Sequence, residues 1–327
     1  MDARVKPGHD TEMELRRLGQ SDLHIAPLML GTNVFGWNVD EATSFALLDA
    51  FVGAGFNAID TANTYSRWVP GHQGGESETI IGNWLKKSGK RDKVVIASKV
   101  GEDMGAGRGL KTSDILREAE NSLRRLQTDR IDLYQTHFDD PNTAPDETLQ
   151  AYAQLIAQGK VRAIGASNIG AARLQESLAT SKRLGLARYE SLQPRYNLYD
   201  RAAFEREYEP ICLREQIGVI PYYSLAAGFL TGKYRSESDI GKSAARAPRI
   251  KDFFNARGLG ILKALDAVAA RHGATPAQIA LAWLIARPSV TAPIASATSL
   301  KQLDEIMQAP RLKLSATDIA ALNAASA

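Results

Sequence analysis

The sequence predicts a single (β/α)8 barrel of the α/β class. Eight short apolar segments, rich in Val, Ile, Leu and Ala, alternate along the 327-residue chain with longer segments of helical periodicity. The short segments are hydrophobic on both faces, which is typical of parallel strands covered by helices. No Pro/Gly-rich linker divides the chain into two halves, so a closed barrel is favoured over the alternative, a doubly wound open sheet.

Each predicted strand is paired with the helix that follows it. The strands in chain order are Met29 to Gly31, Asn57 to Asp60, Val94 to Lys99, Ile131 to His137, Val161 to Ser167, Glu190 to Gln193, Gly218 to Tyr222 and Val290 to Ile294. The helices are Asp40 to Val52, Glu78 to Lys87, Thr112 to Leu126, Pro145 to Ala157, Ala171 to Leu184, Ala202 to Glu215, Gly258 to Arg271 and Leu300 to Gln308.

Polar side chains stand where several of these strands end. Asp60, Lys99 and His137 close three apolar segments, and Tyr65 follows Asp60 by five residues. In barrel enzymes the carboxyl ends of the strands share one rim, and the active site is built there. A lysine is rarely buried without a carboxylate partner, so the joint pattern predicts acid/base chemistry rather than four separate structural roles.

The chain resembles the aldo-keto reductases, and within them bacterial proteins similar to the potassium-channel beta subunits. The motifs that carry this resemblance are Asp60-Thr-Ala-Asn-Thr-Tyr65, Glu76-Ser-Glu78-Thr-Ile-Ile-Gly82-Asn-Trp84-Leu, Lys99, Thr136-His137, Gly165-Ala166-Ser167-Asn168, Gln193-Pro-Arg-Tyr196-Asn197 and Gly228-Phe-Leu-Thr-Gly232-Lys233-Tyr234. They follow the family's order from Met13 onward. The resemblance also implies a β-hairpin before the barrel and extra helices and loops near the C-terminus.

Catalytic roles follow from the resemblance residue by residue. Tyr65 is expected to be the general acid, Lys99 and Asp60 to tune it, and His137 to orient a substrate carbonyl. Lowering a tyrosine pKa from about 10 to about 7 takes roughly 4 kcal/mol. One ammonium group about 4 Å away supplies roughly that much at an effective dielectric near 20, so we expect Lys99 to lower the pKa of Tyr65.

Carbonyl reduction requires a hydride donor, which a nicotinamide cofactor supplies. Gly105-Ala-Gly107-Arg-Gly109 and Gly241-Lys-Ser243 match neither common phosphate-binding motif, so the late barrel loops are expected to hold the phosphates. The resemblance implies cofactor contacts at Ser167, Asn168, Gln193, Tyr222, Leu225, Ala226, Lys233, Arg246, Ser296, Thr298, Gln302 and Glu305. Ile306 stands where the family usually has asparagine. NADPH is predicted, with NADH use left open, because a 2′-phosphate needs cationic groups such as Lys301, Lys233 or Arg246.

The substrate is expected to be a small aldehyde or ketone. The loop residues Asn33, Val34, Trp37 and Trp68 are predicted to contact it, and Tyr196 and Phe229 to add further aromatic surface. Aromatic walls suit apolar or aromatic carbonyl compounds.

Other classes of function are disfavoured. The net charge of +3 is small, and the basic segment from Lys86 to Lys93 lacks interleaved aromatic residues, which argues against nucleic-acid binding. No segment is long and apolar enough to span a bilayer, and no signal peptide is recognised, so we expect a cytoplasmic protein.

No metal site is predicted, the single cysteine, Cys212, is expected to be buried and inert, and the oligomeric state is not predictable. Residues 1–12 are expected to be a disordered leader, and residues 13–327 a single barrel domain. Whether Met1 or Met13 is the true start is left open.

Two alternatives remain open at this point. A Schiff-base aldolase on the same barrel would use Lys99 as its nucleophile. A regulatory subunit would keep the barrel and bind the cofactor with slow turnover.

Overall fold

A computed structural model describes residues 13–105, 107–236, 238–239 and 250–327. The expected leader of residues 1–12 and the expected cofactor residue Arg246 lie outside the described residues.

Eight parallel strands form the curled sheet of a (β/α)8 barrel, and a two-stranded hairpin precedes them. The hairpin strands are β1 (Arg16–Arg17) and β2 (His24–Ile25), which pair antiparallel. The barrel strands are β3 (Met29–Gly31), β4 (Ala58–Asp60), β5 (Val95–Val100), β6 (Ile131–Thr136), β7 (Val161–Ser167), β8 (Tyr189–Gln193), β9 (Gly218–Val219) and β10 (Ile294–Ala295). In the sheet β10 lies beside β3, and the others follow in chain order. The predicted fold class is confirmed.

The last strand differs from its predicted bounds. We predicted a strand from Val290 to Ile294, but the regular pairing with β3 begins only at Ile294. The preceding residues contact β9 instead: the Thr291 amide donates to the Val219 carbonyl at 2.8 Å, and the Ile294 amide donates to the Pro221 carbonyl at 2.9 Å. The segment therefore closes the barrel by crossing from one strand to the other, which interrupts a regular ladder.

The helices surround the sheet and, near the C-terminus, extend beyond the eight that were predicted. Within the described residues they are α1 (Glu41–Gly53), α2 (Glu76–Ser88), α3 (Thr112–Leu126), α4 (Pro145–Ala157), α5 (Ala171–Leu184), α6 (Glu209–Glu215), α7 (Ala256–His272), α8 (Pro276–Ile285), α9 (Leu300–Met307) and α10 (Ala316–Ala325). A π-helical turn, Phe204–Tyr208, precedes α6 where one continuous helix was expected. The additional helices α8 and α10 both begin with capping boxes, at Thr275 and Ser315.

The core has two parts that leave one end of the barrel open. A large cluster lies between the sheet and the helices, and a smaller one fills the barrel interior with Leu18 and Leu23 of the hairpin segment. Arg16 holds the hairpin across the amino ends of the strands, because its guanidinium donates to the carbonyls of Ile285 at 3.0 Å and Val290 at 3.2 Å. The carboxyl ends of the strands are therefore the end available for a site.

The longest of the described α-helices is α7, with 17 residues. None of them combines the length and the apolar character needed to cross a bilayer.

Candidate active site

Three side chains meet at the carboxyl ends of β4 and β5. The Lys99 ammonium donates to Asp60 Oδ2 at 2.8 Å and to the Tyr65 hydroxyl at 2.7 Å. The Tyr65 hydroxyl in turn donates to Asp60 Oδ2 at 3.0 Å. Asp60 is the last residue of β4, so the strand places its carboxylate at the rim. The loop that follows brings Tyr65 back to the same point. The three groups form one closed hydrogen-bonded triangle.

Further hydrogen bonds fix the position of this triangle. The Lys99 ammonium also donates to the backbone carbonyl of Thr61 at 2.9 Å. The second carboxylate oxygen of Asp60 accepts from the Gln193 side-chain amide at 2.8 Å. Lys99 and Asp60 are fully buried, with 0% and 2% of their side chains exposed. Every hydrogen of the buried ammonium thus has an acceptor, which is the condition for holding a charge out of water.

The tyrosine pKa moves in the opposite direction from the sequence-based expectation. Burial, followed by the charge and hydrogen bond of Asp60, raises the pKa of Tyr65 well above its ordinary value. Burial also lowers the pKa of Lys99, although Asp60 opposes that change. The expectation that Lys99 lowers the Tyr65 pKa was wrong for this arrangement, because burial and the Asp60 carboxylate that bonds the same hydroxyl both raise it. The phenol stays protonated at neutral pH.

His137 stands beside Tyr65, with 6.2 Å between the two ring centroids. Burial, and then the charges of Lys99 and Arg108, lower the pKa of His137 well below its ordinary value. Its buried Nδ1 has no hydrogen-bond partner among the described residues. The imidazole is therefore neutral at physiological pH and retains unused hydrogen-bonding capacity near the phenol.

A row of amide and hydroxyl groups continues the site along β7 and β8. The Ser167 hydroxyl donates to the Gln193 carbonyl at 2.8 Å, and Asn168 donates to Ser167 at 3.0 Å. The Tyr222 hydroxyl donates to Asn168 Oδ1 at 3.0 Å. Asn168 has a φ of 44°, a left-handed conformation in which asparagine is tolerated better than most residues. The row presents donors, acceptors and one aromatic ring to the same space.

The opposite end of the site is built by the segment that leads into α9. Ser296 donates to Asn33 Oδ1 at 2.7 Å, which joins the loops after β10 and β3. The side-chain oxygen of Gln302 accepts from the Thr298 amide at 2.9 Å and from its hydroxyl at 3.0 Å. Ser299 caps the start of α9. The helix therefore begins at the cavity wall, with its polar first turn held in place.

A cavity of about 1070 Å³ connects these groups. The predicted site residues that line it are Asp60, Tyr65, His137, Ser167, Asn168, Gln193, Tyr222, Leu225, Lys233, Ser296, Thr298, Gln302, Glu305, Asn33, Trp37 and Trp68. Lys99 lies behind Tyr65 and contacts the hydroxyl rather than the open space. The cavity is larger than a drug-sized pocket needs to be, so it can hold an extended ligand and a second small one.

Other predicted contacts lie in the core and not on the cavity wall. Val34 and Ala226 are completely buried and pack into the large core cluster. Tyr196 packs on Phe204 with ring centroids 4.4 Å apart, and Phe229 packs on Phe253 at 5.3 Å. The expectation that the Tyr196 and Phe229 side chains add aromatic surface to a substrate site was therefore wrong, because both rings point inward from their loops.

Several cavity residues were missed by the sequence analysis. They include Asn38, Phe138, Tyr223, Ser224, Ala227, Gly228, Thr231 and Ala277. Phe138 directly follows His137, so its position after a strand end could have indicated it. Ala277 lies in the first turn of α8, a helix that was not predicted.

Aromatic rings form the cavity mouth beside the phenol. Trp37 and Trp68 meet edge to face with centroids 5.5 Å apart, and Trp68 lies 6.2 Å from the Tyr65 ring. Trp68 is 49% exposed, the most exposed aromatic residue of this wall. Such edge-to-face pairs are a preferred aromatic geometry, and their free faces suit a flat apolar group.

In the part of the chain that the structure describes, no three His, Cys, Asp or Glu residues are grouped so that they could hold a metal ion.

Comparison with known proteins agrees with this architecture. The family model described as "Aldo/keto reductase family" matches residues 27–327. "Uncharacterized oxidoreductase YrpG" of Bacillus subtilis (strain 168) is 36% identical over 319 residues, covering 95% of each chain. "Protein tas" of Escherichia coli (strain K12) is 34% identical over 339 residues, covering 95% of this chain and 97% of that protein. "Probable voltage-gated potassium channel subunit beta" of Oryza sativa subsp. japonica is 31% identical over 305 residues, covering 91% of each chain.

Proposed function

We propose that this chain, which belongs to the aldo/keto reductase family, reduces aldehydes or ketones to alcohols with NADPH. Tyr65 is the proton donor in this proposal. The observation that carries it is the placement of the Tyr65 hydroxyl on the cavity wall, 2.7 Å from the Lys99 ammonium and 3.0 Å from the Asp60 carboxylate.

Each residue has a defined task. The Tyr65 phenol gives its proton to the developing alkoxide of the substrate, and the Lys99 ammonium stabilises the phenolate that remains. Asp60 keeps Lys99 charged and in place. His137, neutral and beside the phenol, donates a hydrogen bond that orients the carbonyl oxygen.

The residues on the wall fit a nicotinamide cofactor. A carboxamide needs both donors and acceptors, and Ser167, Asn168 and Gln193 offer both at the cavity surface. Tyr222 offers an aromatic face beside them for a flat ring. The bound nicotinamide would supply the hydride that no side chain can donate.

The other end of the cavity suits the rest of the dinucleotide. Thr298, Gln302 and Glu305 line it together with Lys233, a cation suited to phosphate. NADPH is proposed rather than NADH on this charge and on the sequence position of Arg246. NADH use stays open.

The aromatic mouth indicates the carbonyl compounds to try first. Trp37, Trp68 and Phe138 face the space in front of Tyr65, and they favour neutral aromatic aldehydes over carboxylated or sugar-like ones.

The test is the absorbance of reduced nicotinamide with purified protein, a panel of aromatic and aliphatic aldehydes, and NADPH and NADH in parallel. We expect a steady absorbance loss with stoichiometric formation of the alcohol, faster with NADPH. Tight NADPH binding without turnover of any aldehyde would contradict the proposal. It would favour a cofactor-binding regulatory protein, in line with the channel-subunit relative.

The aldolase alternative has its own test. Borohydride trapping of an aldehyde on Lys99 without nicotinamide would support it. We expect no trapping, because the Lys99 ammonium is already bonded to Asp60, Thr61 and Tyr65.

A further inference from the structure

Ser66, the residue directly after Tyr65, has an unusual backbone conformation. Its φ is 71°, in the left-handed region, and its side chain is completely buried. Residues other than glycine, asparagine and aspartate seldom adopt this conformation, because the Cβ crowds the backbone. Such strain persists only where surrounding contacts enforce it. A glycine would relieve the strain, so the serine side chain itself needs an explanation.

The hydroxyl of Ser66 supplies that explanation. It donates to the backbone carbonyl of Phe35 at 2.6 Å, across 31 residues of sequence. Phe35 lies in a tight turn whose amides bond within the turn: the Phe35 amide to Thr32 and the Trp37 amide to Val34, at 3.0 and 3.2 Å. The bond from Ser66 therefore attaches one compact loop to another.

The two loops carry the working wall of the cavity. The loop after β3 presents Trp37, and the loop after β4 presents Tyr65 and Trp68. The two indoles touch edge to face at the mouth, with centroids 5.5 Å apart. Between Tyr65 and Trp68, the Ser66 hydroxyl is the buried side-chain bond that joins their loop to the first one.

We propose that Ser66 is a positioning residue, whose bond to the Phe35 carbonyl fixes the Tyr65 hydroxyl and the Trp37–Trp68 pair relative to each other. This inference rests on the proposed function for its kinetic consequence. Its structural consequence, the registration of the two loops, can be measured without turnover.

Ser66→Gly is the decisive variant. It keeps the left-handed backbone at no steric cost and removes the side chain that carries the hydroxyl, so the fold is expected to be retained. We expect kcat to fall about tenfold, since small misplacements of a catalytic group are costly, while the dissociation constant for NADPH stays within about twofold of wild type. Ser66→Ala removes the same bond and keeps the strain, and should show the same fall in kcat if it folds.

Ser44→Ala is the matched control. The Ser44 hydroxyl is also fully buried and donates to a backbone carbonyl, that of Asp40, at 2.7 Å, but it lies in α1. This variant loses a buried serine-to-carbonyl bond that does not join the two loops. Its kcat should equal that of the wild type, and a comparable fall there would overturn the assignment to Ser66.

Acrylamide quenching of tryptophan fluorescence provides the readout that is independent of activity. Trp84 and Trp283 are buried, so quenching reports mainly on Trp37 and Trp68 at the cavity mouth. Quenching should increase in Ser66→Gly and stay at the wild-type level in Ser44→Ala.

The outcomes separate the two proposals. Unchanged kcat or unchanged quenching in Ser66→Gly would overturn the positioning role. If wild-type protein turned over no carbonyl compound, the proposed function would fail, and quenching alone would decide whether Ser66 registers the loops.

Discussion

The barrel holds two buried aspartates at opposite ends of its strands, and they are neutralised in different ways. Asp60, at the carboxyl end of β4, pairs with the fully buried Lys99 and with Tyr65. Asp132, near the amino end of β6, is 1% exposed and pairs with Arg91 and Arg162 at 2.8 and 2.9 Å. Both carboxylates are satisfied, but only Asp60 lines the large cavity.

The difference lies in what the partners can do. Arginine stays charged in proteins and reaches solvent from both of its contacts with Asp132. Lysine and tyrosine can both exchange protons, and at Asp60 the tyrosine lies beside open space. A buried carboxylate is therefore weak evidence for function by itself. Its partners and the neighbouring cavity separate a reactive cluster from a structural one.

The largest effect is expected from removing the reactive cation. Lys99→Met should lower kcat/KM about 10³-fold, because the Tyr65 phenolate loses its counter-charge. Arg162, a partner of Asp132, has 37% of its side chain exposed, and Arg162→Met should leave kcat/KM unchanged. Steady-state kinetics on both purified variants checks the pair. Equal losses would remove the distinction between the two clusters.

Replacing each of the two aspartates by asparagine should separate an effect on activity from an effect on stability. Asp60→Asn is expected to lower kcat about 10²-fold, because Lys99 is then held less firmly in its charged form. Asp132→Asn should leave kcat of the folded protein unchanged but lower the free energy of unfolding by about 3 kcal/mol, since its arginines lose a buried partner. Urea denaturation and kinetics on each variant decide this. An inactive but fully stable Asp132→Asn would contradict the comparison.

The aromatic mouth should matter for one class of substrate. Trp68→Ala is expected to raise KM for an aromatic aldehyde about fivefold, equivalent to about 1 kcal/mol of aromatic contact, and to leave an aliphatic aldehyde nearly unaffected. Leu213→Ala, an equally exposed apolar residue in α6 at 48% exposure, is the control. A parallel rise in KM for both aldehydes would show that the indole acts without selecting aromatic groups.

The smallest effect concerns the pH dependence of stability. Because the pKa of His137 is well below its ordinary value in the folded protein, the unfolded chain takes up a proton there first as pH falls. The stabilisation that neutral His137 contributes to folding is complete above the ordinary histidine pKa of about 6.5 and is lost as the pH falls below it. The decrease in unfolding free energy from pH 7 to pH 5 should therefore be smaller in His137→Gln.

The sequence predicted the barrel and the residues at its strand ends because these depend on local patterns. Apolar segments and their polar termini are visible in the chain, and parallel strands bring Asp60, Lys99 and Gln193 to one rim. Asp60, Tyr65 and Lys99 do meet in the structure.

Features that depend on the exact path of a loop were not predictable. Val34 and Trp37 lie in the same loop, yet one is buried and the other lines the cavity. Nothing in the spacing of Tyr196 or Phe229 indicated that their rings point into the core. The direction of the Tyr65 pKa was missed for a related reason: the burial of the hydroxyl and its hydrogen bond to Asp60 both arise only once the loop has folded back onto the strand end.

The central claim is that Tyr65 supplies the proton in carbonyl reduction. The most direct test is a single-turnover measurement, in which Tyr65→Phe loaded with NADPH is mixed with an aromatic aldehyde and the absorbance of reduced nicotinamide is followed. We predict that the variant binds NADPH as tightly as the wild type and that its absorbance decays at least about 10³-fold more slowly. Decay at the wild-type rate would contradict the claim and assign the proton to another group.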